Sequence, residues 1–386
     1  MIRPKHVLQV LLCSAAANAR TIVVHHGGSI RAALAAAHPG DTVEVAPGVY
    51  VEGSPGDLNA LTVTTPNLRL VGHGGPGAVV LQNAGQQQFG VWVSPENSAG
   101  PGRQDDPEKP PCGDPDHPVV LPKFTIENFT IRGFAQHGVH LACVEGFRIA
   151  NNVSKDNHVY GLFPVLSRDG VVTGNLVSGT DKDAGIYVGQ SDWVTISDNR
   201  ASGNLLGLEV ENSRNCEVIG NELTGNTLGI IVDVLTDKIK TTQESTVVAF
   251  NRVRQNNRIN TAEPDDIIAL LPPGIGILLL GADTSTVHRN DVKHNAFAGI
   301  AVVSLCLAFE LRGEGCPAPK DLGVEPNPDG NRIIQNDVVH NATVPTGTPL
   351  DALMGDLVWD GSGSDNCWSG NRTTPHTPQP PLPACK

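Results

Sequence analysis

A chain of 386 residues with 40 acidic against 27 basic side chains, net −13, lacks the clustered cations that a phosphate-backbone partner requires, which disfavours nucleic acid. Its 42 glycines and its 17% of charged residues suit short strands parted by tight turns better than amphipathic helices. After the first residues no apolar run approaches the roughly 20 residues needed to span a bilayer.

Met1 to Ala19 sets Arg3 and Lys5 before the apolar run Val7 to Leu12 and the small residues Ala17-Asn18-Ala19. That order reads as a secretory signal over 1–19, cleaved near Ala19 and predicting a secreted, extracellular or periplasmic protein. Lipidation at Cys13 is the weaker alternative, because bulky Leu12 precedes it. Cleavage would leave 25 basic against 40 acidic residues, a balance of −15. Export permits disulfides among Cys112, Cys143, Cys216, Cys306, Cys316, Cys367 and Cys385, and the odd count leaves a thiol over. Cys306 with Cys316 and Cys367 with Cys385 are the expected pairs, each closing a loop rich in Gly or Pro.

Ser29 to Ala37 reads as a short helix capped by Ser29, followed by the turn Pro39-Gly40-Asp41 and a strand over Thr42 to Val45. Such a helix would cover the open end of a repeat array, whose bare strand edges invite aggregation. Residues 94–120, rich in Pro, Gly and charge, read as an inserted loop.

Repetition then takes over. Glycines leading an apolar-x-apolar triplet recur at Gly138, Gly161, Gly185, Gly207 and Gly229, with spacings of 23, 24, 22 and 22. Asn152, Asn175, Asn199 and Asn221 keep the same beat, continued after insertions by Asn251, Asn290 and Asn336. Repeats of this length, built of brief period-2 segments broken by Gly or Asn, fit three short strands and three turns per coil. Aligned on the asparagines, Ile149, Val172, Ile196, Val218, Val248, Val287 and Ile333 form an inward β-branched column. The asparagines themselves are expected to form an internal ladder, since Asn tolerates left-handed turn geometry and stacked amides hydrogen-bond from coil to coil. Of the sequons at Asn128, Asn152, Asn341 and Asn371, only Asn152 would then be inaccessible. Cys216 aligns with inward Phe147 and Val194 and is expected to be a buried thiol. The predicted fold is all-β: a right-handed single-stranded parallel β-helix over 20–345 with the cap helix, insertions at about 235–245 and 258–273, and an irregular cap or tail over 346–386.

In the Gly-led strands the alternate residues are expected to face solvent: Trp92, His140, Phe163, Tyr187 and Glu209 in one column, with Ala142, Val165, Gly189, Glu211 and Asp233 in the next. Coils about 4.8 Å apart would cluster Glu209, Glu211 and Asp233, with Asp181, Lys182 and Asp183 in the turn entering the Tyr187 strand. Tyr187, Glu209, Glu211, Asp233 and Asp183 are the candidate catalytic groups; Trp92, His140, Phe163, Lys182 and Gln190 are the candidate substrate-binding groups. Aromatic faces beside carboxylates suit a polysaccharide or oligosaccharide. The same acids could instead serve solubility, or bind Ca²⁺ through oxygen, the one cofactor the residues suggest. His25 and His26 offer two metal donors without an evident third.

These coils resemble the pectin-lyase-like superfamily of right-handed parallel β-helix proteins. The opening Ser29 to Tyr50 and the stretches Asp183-Ala-Gly-Ile-Tyr-Val-Gly-Gln-Ser and Gly207-Leu-Glu-Val-Glu-Asn-Ser carry the resemblance, which covers roughly residues 21 to 345. It implies the fold, while the superfamily's activities range over lyases, hydrolases, epimerases and non-enzymes. Polygalacturonase motifs are missing as a set, with Thr180-Asp181 and the pairs 105–106 and 265–266 in isolation, and the Asp-Pro-His of alginate epimerases is replaced by Asp114-Pro-Asp-His117. The expected function is that of a secreted carbohydrate-active protein, a monomer acting by hydrolysis, β-elimination or epimerisation; the alternative is a non-catalytic binding or surface-assembly solenoid. Lys182 and Arg168 are the nearest cations by sequence, and so few cations lean the expectation toward hydrolysis or plain binding.

Overall fold

A computed structural model describes residues 19–54, 56–96, 112–113, 119–374 and 382–386. The proposed signal, Asp114 to His117, most of the loop 94–120 and most of the run Pro375 to Pro383 lie outside them. The described chain winds into three parallel sheets of 14, 11 and 10 strands, called here the first, second and third. One coil passes through Ala184–Gly189 of the third sheet, Asp192–Ser197 of the first and Arg200–Ser202 of the second, and the next begins at Leu206–Glu211.

The aliphatic column is present in register, Ile149 beside Val172, Ile196, Val218, Val248, Val287 and Ile333, each 0% exposed. Its partner on the third sheet runs through Val139, Leu162, Ile186, Leu208, Ile230, Ile277 and Ile300. The cap helix Ile30–Ala35 has its Ser29 side chain accepting from the Ala32 N–H, and it buries Ile30, Ala33 and Leu34.

The asparagine ladder runs unbroken from Asn152 to Asn371, each side-chain N–H donating to the amide oxygen of the next coil at 2.9–3.1 Å. The left-handed residue of this turn is the one before the ladder asparagine, as at Asn151, Gly174, Asp198 and Gly220, and not the asparagine itself. A second ladder, unread in the sequence, joins Asn204, Asn226, Asn256, Asn295, Asn341 and Asp356. At the third corner, hydroxyls of Ser167, Ser191 and Ser213 accept backbone N–H groups from the preceding coil. Asn341 is therefore a buried ladder member and Asn371 a ladder end, so neither is the accessible sequon expected; Asn128 lies outside the ladders.

Three further departures concern what is attached to the coils. Short helices Cys306–Leu311 and Pro319–Leu322 and the 3₁₀ turns Ile267–Leu270 and Pro349–Leu353 add to the cap helix, in connections long enough to hold them. Residues 304–331 form an insertion that the repeats did not reveal. The region after 346, expected to be irregular, adds strands Gly355–Trp359, Cys367–Ser369 and Arg372–Thr373 to the three sheets. Disulfides join Cys306 to Cys316 and Cys367 to Cys385 as expected, and Cys112 to Cys143 besides; Cys216 is free and buried.

Asn221 accepts from the Asn199 backbone and side-chain N–H groups and donates to the Ile196 carbonyl and the Asn251 amide oxygen. Asn221→Leu strips partners from all of these, and each buried orphan costs about 1–3 kcal/mol. Denaturant unfolding is expected to register a loss of about 3 kcal/mol or more; unchanged stability would contradict the ladder.

Candidate functional site

The outer side of the third sheet carries the candidate residues in the expected register: Trp92 beside His140, His140 beside Phe163, Tyr187 beside Glu209, and Glu211 between Gly189 and Asp233. Exposure is another matter. These residues were expected to face solvent, but Trp92, His140, Phe163, Tyr187, Glu209, Glu211 and Asp233 are all 5% exposed or less. Alternation along each strand aims them outward, and the insertions then roof them over. Ile268 and Leu271 of one insertion and Leu305, Leu322 and Val324 of another join Phe163, Tyr187, Ile231 and Leu278 in a second apolar cluster outside the coil.

Beneath this roof the rings form a stack. Trp92 lies 3.9 Å from His140 at 8°, and Phe163 lies 4.4 Å from Tyr187 at 10°. His140 Nδ1 is 2.8 Å from His137 Nδ1, so one ring donates to the other. Burial holds His137 down to about 3 and His140 well below the usual imidazole value, which keeps both neutral.

The carboxylates gather next to this stack. Tyr187 donates to Glu211 Oε1 at 2.8 Å, and Tyr160 donates to Asp183 Oδ2 at 2.5 Å. Glu209, Glu211 and Asp233 each offer an oxygen within 4.8 Å of the others. Both Asp233 oxygens, Glu209 Oε2 and Asp183 Oδ1 are buried without a hydrogen-bond partner. Burial, opposed by the Tyr160 hydrogen bond and reinforced by neighbouring acids, raises Asp183 to about 7. Burial first, then the charge of Asp183 on Glu209 and of Glu211 on Asp233, raises both of those well above the usual carboxylate range.

Two of the named residues serve the cover. Gln190 accepts from the Ile239 and Lys240 backbone N–H groups and so docks the insertion after Asp233. Lys182 is exposed and pairs with Glu263, away from the acids. Arg168 pairs with Glu145. The cation that does reach the cluster is Lys238, 3.2 Å from Glu211 Oε1, which the sequence reading missed. Tyr160 and His137 were missed too, although each directly precedes a repeat-leading glycine, Gly161 or Gly138.

A family described as periplasmic copper-binding protein (NosD) matches residues 122–256. No curated protein matches the sequence. Among solved structures, the A-module of the mannuronan C-5 epimerase AlgE6 of Azotobacter vinelandii aligns over 89% of this chain and 81% of its own, with TM-score 0.61 and 17% identity. The fold is the right-handed parallel β-helix. The periplasmic alginate epimerase AlgG aligns over 91% of this chain and 77% of its own, with TM-score 0.51 and 15% identity. Pectate lyase Pel9A aligns over 96% and 79%, with TM-score 0.50 and 11% identity. At such identities the likeness is one of fold. The three disulfides fit an extracellular or periplasmic location. Copper, named in the matching family's description, favours imidazole and sulfur donors, whereas the cluster here is all carboxylate oxygen and does not fit it.

A carboxyl whose folded pKa exceeds its unfolded value binds protons more tightly in the folded state, so stability falls as pH rises between the two values. For Asp183 that window runs from 3.8 to about 7. In chelator-treated protein, denaturant unfolding is expected to show stability dropping by about 1 kcal/mol or more per pH unit from pH ~5 to ~7. The slope should shrink in Asp183→Asn, and a flat wild-type profile would contradict the raised acids.

Proposed function

We propose that this is an exported polysaccharide-acting protein whose chemistry is proton transfer beside a uronate carboxylate, leading to epimerisation or β-elimination. The observation that carries the reading is the coupling of phenols to carboxylates on consecutive coils, Tyr187 with Glu211 and Tyr160 with Asp183, with the Lys238 ammonium alongside. Taking a proton from a carbon next to a carboxylate needs a base, an acid and a cation to hold the charge that develops. Asp183, Glu209, Glu211 and Asp233 are the carboxyl groups for proton transfer, the tyrosines can donate, and Lys238 supplies the cation that sequence alone lacked. In epimerisation the proton removed from one face is replaced from the other. In β-elimination the electron pair expels the glycosidic oxygen, which takes up a proton. Mannuronan, alginate and pectate, the polymers in the names of the similar structures, are polyuronates.

Substrate reaches these groups when the segment 258–271 lifts. Three of its polar fastenings are exposed, with Thr261 Oγ1 donating to the Asp181 carbonyl at 2.6 Å, Glu263 paired with Lys182 and Arg312 donating to the Asp265 carbonyl at 3.0 Å, and its buried Ile268 and Leu271 leave the apolar cluster as it lifts. Trp92, His140 and Phe163 present no stacking platform to a sugar, because their faces are packed inside the protein. The same burial favours a second reading, a non-catalytic carbohydrate-binding or assembly solenoid with the acids internal to it.

A panel of mannuronan, polygalacturonate and a neutral glucan separates the two, read by unsaturated-uronate absorbance, by NMR of C5 configuration and by new reducing ends. Turnover of a polyuronate is expected, with Glu211→Gln reducing it by about 10²-fold or more. Turnover of the glucan alone would sink the uronate reading. No turnover on any polymer would favour the solenoid.

A further inference from the structure

We propose that Glu209, Glu211 and Asp233 form an inner-sphere site for one hard divalent cation of the Ca²⁺ class, buried between the third sheet and its roof. The inference stands apart from the polysaccharide reading, since it concerns what the folded chain holds before any substrate arrives. Two adjacent strands impose the arrangement: Glu209 and Glu211 lie on Leu206–Glu211, and Asp233 is the register partner of Glu211 on the next coil. Three carboxylates from adjacent coils converge in this way without any loop needing to fold around an ion.

An acidic cluster alone would be weak ground, because acids often serve only solubility. The deciding observation is Asp233, 0% exposed and aimed into the cluster with neither oxygen hydrogen-bonded. Glu209 Oε2 is a third buried oxygen without a partner. Native proteins leave few buried polar atoms unsatisfied, and each calls for an explanation such as a bound ion.

Charge points the same way. Asp183, Glu209, Glu211 and Asp233 set four carboxyl groups against Lys238, the one cation within ion-pair distance of them among the described residues. A divalent ion offsets most of what remains. Oxygen-only donors select hard cations, and three oxygens all within 4.8 Å of one another can reach one Ca²⁺ ion, whose opposite ligands stand ~4.6–5.2 Å apart. Mg²⁺ demands near-ideal octahedral geometry and sheds its water reluctantly, which suits a buried set of protein carboxylates less well than the adaptable Ca²⁺ shell does. The Tyr187 hydroxyl, bonded to Glu211, lies beside the bound ion and makes its presence measurable by light.

The test uses the full chain, stripped with EDTA and titrated without polysaccharide, so that its outcome is independent of the turnover assay. Addition of CaCl₂ at about 1 mM is expected to raise Tm by about 3 °C or more. Tb³⁺ is expected to give tyrosine-sensitised emission that Ca²⁺ displaces, with calorimetry reporting one ion per chain. The Glu209→Gln/Asp233→Asn variant keeps the shape and removes the repulsion. It should be at least as stable as wild type in EDTA, show no Ca²⁺-dependent shift and give under a tenth of the emission. Asp337→Asn, on a distant surface ion network, should retain both signals. Absence of any Ca²⁺ shift in the wild type, equal emission from the double variant, or a larger shift with Mg²⁺ than with Ca²⁺ would overturn the proposal. Should the double variant fail to fold, the wild-type shift and stoichiometry still decide.

Discussion

The corners of the coils in this molecule bury polar side chains whose hydrogen bonds are completed by the neighbouring coil. An isolated coil would carry orphaned amides at the turn after the first sheet and at the turn after the second, and at the third corner a buried backbone N–H without the serine hydroxyl that accepts it. Burying such groups unpaired costs more than the coil's small apolar interior can offset, so stability is a property of stacked neighbours. Uniform repeat length follows. The ladder amides stay in line only if every coil brings its asparagine to the same height, and extra residues must leave the coil as loops between ladder positions. The insertions after Asp233, Arg254 and Val303 all obey this rule.

That rule explains the location of the site. Loops expelled from the coil in successive turns fold back over the third sheet, and they carry Ile268, Leu271, Leu305, Leu322 and Val324. The outer face they cover would otherwise be an apolar and acidic strip. Covering it turns carboxylates that would be unremarkable in water into groups whose protonation depends on their neighbours. Lys238 arrives with the same loops, so the roof supplies both the low-dielectric surroundings and the countercharge.

Much of this was legible in the sequence, for a physical reason. Strand alternation has a period of two and coil stacking a period near 22, so the Gly-led triplets correctly predicted which residues share a column, down to Glu211 beside Asp233. Alternation reports the side of a strand and says nothing of what later packs there, which is why the aromatic column read as exposed. The apolar residues of the insertions were the available sign of a roof. The second ladder was legible as well: Asn157, Asn204, Asn226, Asn256, Asn295 and Asn341 each follow a first-ladder asparagine by five residues, with Thr180 standing where that spacing calls for an asparagine. Lys238 carried no such signal, because its loop position depends on how Gln190 docks the backbone at Ile239 and Lys240.

The two asparagine ladders have a direction. In each rung one side-chain N–H points toward the C-terminal coil and the amide oxygen toward the N-terminal one, while the second N–H donates back to a carbonyl of the preceding coil, so the amide dipoles add along the axis as peptide dipoles do in an α-helix. A column of this kind presents its donor end at the C-terminal face of the solenoid. There the second ladder ends at Asp356 in place of another asparagine. One oxygen of Asp356 takes both Asn341 donors, and the other takes the Thr374 backbone N–H, a role the nitrogen of an amide could not fill. The molecule thus closes its dipole column as a helix closes its N-terminus, with an acidic side chain set against converging donors, and its two ends are electrostatically distinct.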